Sequence, residues 1–204
     1  MTTFSPRSDG SITATITQSE AVLLSSLATQ VAALLGAVAA RSDDESLAGT
    51  GIGGSLGQDD DPAVRRLLPD AYGDDDEAAQ EFRRLTERDL ATRKIGNAAV
   101  VIQSLSEIVD RTALAEDDEE LEVEGLVSLD EDAALAWLLC LTDIRLTVAA
   151  RLGIEDDDEQ FDEETSPPEA RVLYEISYWV AGVSQSIIWA LDKRLGSRAR
   201  RKKR

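Results

Sequence analysis

The side chains that could carry chemistry are concentrated in a charged block at residues 61–94 and in an apolar segment at residues 137–154. Arginines, carboxylates and one tyrosine alternate with leucines in the first block. Such groups could bind a small anion or a partner protein, or they could form structural ion pairs. The candidate residues of the two segments are Arg65, Asp70, Tyr72, Glu81, Arg84, Asp89, Asp143 and Arg145.

The spacing of these charges favours structural ion pairs. On a helix, Glu81 lies three residues before Arg84 and Asp89 lies four before another arginine, so each pair can meet. Arg145 falls in a row of otherwise apolar positions, where an unpaired charge would be costly to bury. We therefore expect a partly buried network in which Arg145 pairs with Glu81 or Asp89 and joins two long helices. Asp143 would pair with another arginine of that network.

Groups typical of catalysis and metal binding are scarce. The chain has no histidine and a single cysteine, Cys140, which excludes histidine-based catalysis and a multi-cysteine metal site. Cys140 lies in an apolar helical segment, which predicts a buried, inert thiol; redox sensing through an intermolecular disulfide is the alternative. The acidic runs lack calcium-loop spacing, and the glycine-rich run at residues 49–54 follows no strand. We predict no catalytic residue, metal ligand or cofactor, and a protein that is not an enzyme.

The charge distribution limits the kinds of partner. The chain carries 40 acidic and 21 basic residues, a net charge of −19, and eight of the basic residues lie in residues 193–204. The preceding body is therefore strongly acidic and repels phosphates. Nucleic-acid binding is expected only through the basic tail, which could equally contact the chain's own acids or remain solvated.

Hydrophobic periodicity predicts a mainly α fold: one helical domain of about five helices with a small two-stranded β element. The first helix is expected to end near Ala40 and the last at Gly196. The expected boundaries are a domain at residues 1–192, a mobile linker at 41–61, acidic loops at 115–124 and 155–165, and a disordered basic tail at 193–204.

Two strand-to-helix passages have similar local signals. Residues 11–17 and 126–129 have the residue pattern of short strands, and pairing them would give the two-stranded element. Thr17 and Glu20 have the spacing of a capping box at the start of the first helix. Asp130 is placed to cap the helix after the second strand.

An uncharged run at residues 21–40 is long enough to span a bilayer. Ser25, Ser26, Thr29 and Gln30 gather on one face of that helix, opposite a leucine stripe, which favours a core helix. No signal peptide is recognisable. We expect a cytoplasmic protein without a membrane span.

Several motifs together resemble a known family. The motifs that support the resemblance are RLLPDAY at residues 66–72, EFRRLT at 81–86, WLLCLTDIRLTVAARLGI at 137–154 and YEISYWVAGVSQSIIWAL at 174–191. They are similar to an actinobacterial family of proteins of unknown function that includes AosR-like oxidative-stress transcription regulators. The resemblance implies a cytoplasmic protein, often encoded near the proteolytic adaptor ClpS, that acts on transcription. Paired cysteines would carry a redox role in such a family, whereas Cys140 has no second cysteine in this chain.

The resemblance and the missing catalytic groups lead to one main hypothesis. We expect a regulatory, protein-interaction domain linked to transcription and stress, whose partner is a protein such as a sigma factor. Two alternatives remain open: an adaptor in Clp-type protein turnover, and an enzyme that uses the Arg/Asp/Tyr block on a small anion. The sequence leaves the oligomeric state open, although the long apolar helices leave room for a dimer.

Overall fold

The architecture is that of a computed structural model, which describes residues 2–47, 61–69, 76–112, 123–154, 161–162 and 164–201. The side chains of residues 41–47, 76–85, 111–112 and 195–201 lie outside the described part. Within it the chain is mainly α-helical, as predicted, with five helices and three strands. They are β1 Ser5–Pro6, β2 Ile12–Thr17, α1 Gln18–Leu47, α2 Pro62–Leu67, α3 Asp76–Thr112, β3 Glu124–Leu129, α4 Glu131–Arg151 and α5 Pro168–Arg201.

The local signals at the helix starts are observed. The Glu20 amide donates to the Thr17 hydroxyl at 3.3 Å, and the Thr17 amide donates to the Glu20 carboxylate at 3.2 Å, so the capping box is confirmed. Glu20 also accepts a 2.6 Å bond from the Thr2 hydroxyl. The Asp130 carboxylate accepts from the amide of Ala133 at 2.8 Å and caps α4.

The small sheet is antiparallel, with strand order β1-β2-β3. The predicted pairing of the two longer strands is observed, with Ile12 opposite Leu129 and Thr17 opposite Glu124. A third strand, β1, adds two residues beside β2. So short a strand carries no alternation that a sequence pattern could reveal. Its turn into β2 passes through Gly10 at φ 96°, a conformation that glycine adopts without strain.

The core is built from buried residues of all five helices and of β2 and β3. α1 packs most extensively on α3, and α4 packs on α3, α5 and α2. Trp137 of α4 is fully buried and meets Phe4 edge-on, with ring centroids 5.6 Å apart. Its indole N–H donates to the Ser104 hydroxyl at 3.3 Å, so the buried polar atom is satisfied.

Two helix ends differ from the expectation. α1 continues through Leu47 instead of ending near Ala40, and α5 continues through Arg201 instead of ending at Gly196. The first acidic loop was expected to include residue 124, but β3 already starts at Glu124, so the last residue of that loop belongs to the sheet. Most of the expected linker, residues 48–60, lies outside the described part, as do residues 113–122, 155–160 and 202–204.

One residue assigned to the basic tail packs against the folded body. Arg194 is only 5% exposed and pairs with Glu131 at the start of α4. Its guanidinium also donates to the Gly10 carbonyl at 2.7 Å. Arg194 therefore belongs to the folded body, because a long-range contact that local composition does not reveal anchors this end of α5.

Candidate functional site

A buried ion pair joins the two long helices α3 and α4. Lys94 of α3 donates to one carboxylate oxygen of Asp143 in α4, and the Asp143 side chain is 3% exposed. Burial raises the pKa of Asp143, while the hydrogen bond from Lys94 opposes that rise. The second carboxylate oxygen, Oδ2, is buried and has no hydrogen-bond partner among the described residues. The arrangement links the two helices through one buried charge pair.

Of the residues predicted to form the network, Asp143 does join the two helices, but it pairs with Lys94 instead of with an arginine. Arg145 was expected to be buried, and it is exposed. It forms no ion pair or hydrogen bond in the described part of the chain. Two helical positions turn a side chain by about 200°, so when Asp143 faces α3, Arg145 faces outward. The buried face of α4 is centred on Trp137 and Ile144.

Of the six other candidates, only two have described side chains. Asp89 and Arg65 are exposed on α3 and α2. Glu81 and Arg84 lie in α3, but their side chains are outside the described part, as are Asp70 and Tyr72 altogether. The described residues therefore do not assemble the Arg/Asp/Tyr block into one site.

A second ion pair, which the sequence did not suggest, ties α2 to the end of α4. Asp61 caps α2 by accepting from the amide of Ala63 at 2.9 Å, and it also accepts from Arg151 at 2.7 Å. The hydrogen bond from Arg151 is the main cause that lowers the pKa of Asp61. Because Asp61 already pairs with the guanidinium of Arg151, that charge is less available to a small anion.

A shallow cleft of about 510 Å³ opens beside this pair, between the end of α4 and the start of α5. Its lining includes Arg151, Gly153, Phe161 and Pro167. The Phe161 ring stacks on Tyr174 at a centroid distance of 4.5 Å, which fixes one wall. The Asp162 carboxylate of this cleft accepts from the Thr165 hydroxyl at 2.7 Å and from the Glu164 amide at 3.0 Å, so it is engaged in a local turn.

The single thiol lies in the core. Cys140 is 1% exposed, and burial, with a smaller effect of Asp143, raises its pKa to about 12. A thiol in this setting is protonated at neutral pH and shielded from oxidants. Among the described residues, no group of three cysteine or acidic side chains is placed to hold a metal ion.

One side of α4 is both apolar and exposed. Leu135 is 48% exposed and Leu139 is 55% exposed, one turn apart, and exposed Thr142 and Arg145 continue the row. We call these four residues the α4 outer face. Large apolar side chains next to an arginine are typical of protein contact surfaces. The sequence contained a signal for this face, because the segment has more leucines than one buried stripe requires.

Two helices are long and apolar enough to cross a membrane by length and composition: Gln18–Ala40 within α1, and α4. The core helices of soluble proteins pass the same test. In this fold the two helices pack against each other and against α3.

Comparison with known proteins identifies relatives. The family model described as "Domain of unknown function (DUF2017)" matches residues 1–191. A protein of Mycobacterium leprae (strain TN), named as a proposed oxidative stress regulator, AosR, is 30% identical over 169 residues; the match covers 79% of this chain and 75% of that protein. No solved structure matches the chain. The family resemblance carried by the sequence motifs is therefore confirmed.

Proposed function

The chain belongs to the DUF2017 family, and from this premise we propose that it is a non-enzymatic stress regulator that acts through protein contacts. The name of the M. leprae relative supports a regulatory role in oxidative stress. The chemistry of the described side chains supports the absence of catalysis, because the thiol is buried and the buried carboxylate is committed to an ion pair. We place the protein in the cytoplasm.

The α4 outer face is the observation that carries this proposal. Leu135 and Leu139 together expose an apolar area that the fold itself does not use. Arg145 adds a charged group of the kind that is enriched at the centres of interfaces. A partner that covers this face gains apolar burial and can pair a carboxylate with Arg145.

The partner class follows from the charge. With a net charge of −19, the protein is steered toward basic or mixed surfaces and away from nucleic-acid phosphates. We propose a protein of the transcription machinery, such as a sigma factor, as the partner. A Clp-type turnover adaptor would also act through protein contacts, so the experiment must separate the two by the identity of the captured protein.

Affinity capture from cells tests the proposal with a pair of matched variants. The double variant Leu135→Ser, Leu139→Ser removes the apolar part of the α4 outer face, and Leu126→Ser alters a leucine of β3 that is 63% exposed elsewhere. Each half-exposed leucine contributes about 1–1.5 kcal/mol when covered, so the double variant should weaken binding about 30- to 140-fold. Arg145→Glu should also weaken it, with a loss that shrinks at high salt.

The expected result is that polymerase or sigma subunits are captured by the wild type and by Leu126→Ser, and are lost from the double variant. Capture of Clp components in the same pattern would replace the transcription partner with the turnover partner. If neither class is captured, or if the α4 variants retain the partner as well as the control does, the proposal is wrong. Circular dichroism of each variant checks that the fold is intact.

A further inference from the structure

The last helix has a second, unused face. Val180, Val183 and Ile187 of α5 are fully buried against the body. On the opposite side Tyr178 is 75% exposed and Trp189 is 46% exposed. Tyrosine and tryptophan bury large areas at interfaces and are enriched among the residues that dominate binding. A soluble helix gains nothing by presenting two such rings to water.

The spacing on this side is that of a helix-packing seam. Tyr178, Gly182, Gln185 and Trp189 follow one another at intervals of four, three and four residues. Gly182 places no side chain at the middle of the seam, where a neighbouring helix could approach closely. Lys193 lies with its ammonium 3.7 Å from the centroid of the Trp189 ring, which orders the end of the seam. We call these residues the α5 seam.

We propose that the occupant of the α5 seam is the α5 helix of a second copy of this chain, packed antiparallel about a two-fold axis between Gly182 and Gln185. In this register Tyr178 lies at the level of Trp189 of the partner subunit, and the same contact recurs on the other side of the axis. Gly182 of each copy lies opposite Gln185 of the partner subunit. The four rings then bury one another on both sides of the glycines.

Charge complementarity selects this occupant and this direction. In this register Glu175 lies at the level of Asp192 of the partner subunit and one residue from the level of Lys193 of the partner subunit. Glu175 and Lys193 share one side of the seam, because 18 residues make about five full turns, whereas Asp192 is turned about 100° away from that side. The register also brings Arg171 to within about one helical turn of Asp192 of the partner subunit. At each end of the seam, Glu175 of one copy therefore faces a lysine of the other copy, and Arg171 lies near an aspartate. A parallel pairing would set each of these charges against its own copy, which is unfavourable.

The net charge of the protein determines how dimerisation depends on salt concentration. Two copies that each carry −19 repel one another, and salt screens that repulsion. The aromatic contacts are insensitive to salt, and salt weakens the close charge pairs of the seam less than it weakens the repulsion between whole subunits, so dimerisation should strengthen between low and physiological ionic strength. A basic partner held by charge would show the opposite trend.

Sedimentation equilibrium of the full chain tests the proposal, with charge reversal as the decisive arm. Glu175→Lys and Lys193→Glu each create like-charge contacts at both ends of the seam and should raise the dimer Kd about tenfold. Combining the two substitutions restores opposite charges across the axis and should return the Kd to near the wild-type value. Tyr178→Ser with Trp189→Ser should raise the Kd about 100-fold. Val22→Ser, which alters a 41% exposed residue of α1, is the matched control.

A wild-type protein that stays monomeric overturns the proposal. So does a dimer that keeps its Kd when the two rings are removed. A dimer that loses affinity with each charge reversal but is not restored by the combination overturns the antiparallel register. The α4 outer face is untouched by these variants, so failure here is distinguishable from failure of the partner capture.

Discussion

The Lys94–Asp143 ion pair predicts an asymmetric response to mutation. The Asp143 side chain is 3% exposed and that of Lys94 is 18% exposed. Lys94→Met removes the ammonium and keeps the aliphatic stem, so it leaves a buried carboxylate without its partner, at a cost of about 3–5 kcal/mol. Asp143→Asn removes the more deeply buried charge, and the remaining ammonium can reach water, so its cost should be about 1–2 kcal/mol. For a chain of this size, Lys94→Met should lower the Tm by about 6–20 °C.

The cost should also depend on pH, with a definite sign. Burial raises the folded-state pKa of Asp143 above its ordinary value of 3.8, so the folded protein binds the proton more tightly than the unfolded chain does. The stability that Asp143 contributes is therefore highest in acid and falls as the pH rises from 3.8 through the raised pKa. Without Lys94 the pKa of Asp143 rises further, so the pH range over which stability falls extends to higher pH. The destabilisation by Lys94→Met should be small in acid and should grow by up to about 1.4 kcal/mol per pH unit until Asp143 ionises.

Urea unfolding of four proteins at several pH values measures these effects. The set is the wild type, Lys94→Met, Asp143→Asn, and the double variant Lys94→Met, Asp143→Leu. Replacing both charges by apolar groups of similar volume removes the buried carboxylate, so the double variant should be about as stable as the wild type. If Lys94→Met costs no more than Asp143→Asn, or if its cost does not change between acid and neutral pH, the buried-charge reasoning is wrong.

Three further predictions concern other contacts. Asp61→Asn keeps an N-cap side chain and loses the ionic contact with Arg151, so it should cost less than Asp61→Ala, which loses about 1 kcal/mol more with the cap; thermal unfolding compares them. Because the pKa of Asp61 is lowered, this ionic contribution should be present above pH 3.8 and fade as the pH falls below it. Gly125→Ala should destabilise by about 1–3 kcal/mol, because the new Cβ would overlap the side chain of Ile108, and the loss should shrink in an Ile108→Ala background. Cys140 should resist alkylation in the native protein and react fully in urea; rapid native labelling would contradict its burial.

The features that the sequence predicted well are local ones. The capping box at Thr17 and Glu20, and the N-cap at Asp130, each depend on residues within three positions of one another. The pairing of β2 with β3 also followed from pattern, because each strand runs directly into a capped helix. For the two caps the physical cause lies within one turn, so tertiary contacts had little to change. The β2–β3 pairing is a long-range contact, and it was predicted only from the similar layout of the two strand-to-helix passages.

The features that were missed depend on contacts between distant residues. Arg194 belongs to the folded body because Glu131 and the Gly10 carbonyl accept its hydrogen bonds, 63 and 184 positions away. The orientation of α4 depends in the same way on its neighbours. The spacing of Arg145 within a leucine row suggested burial, but Lys94 on α3 selects Asp143 as the inward charge. A helix that is apolar on several sides does not reveal its buried side by periodicity alone.

The same ambiguity explains why α4 is the most informative element for function. The helices α3, α5 and α2 pack against three sides of α4, and Leu135 and Leu139 lie on a side that remains exposed. Had these leucines served only stability, polar residues at both positions would have given the same fold with less exposed apolar area. A helix that is held rigidly on its other sides presents its remaining side without an ordering cost on binding. Arg145, turned outward by the inward Asp143, then lies at the end of that apolar row, where a partner's carboxylate would meet it. The ion pair that locks α4 and the surface that α4 presents are therefore two consequences of one helix orientation, and a variant that disturbs Asp143 should also weaken partner binding.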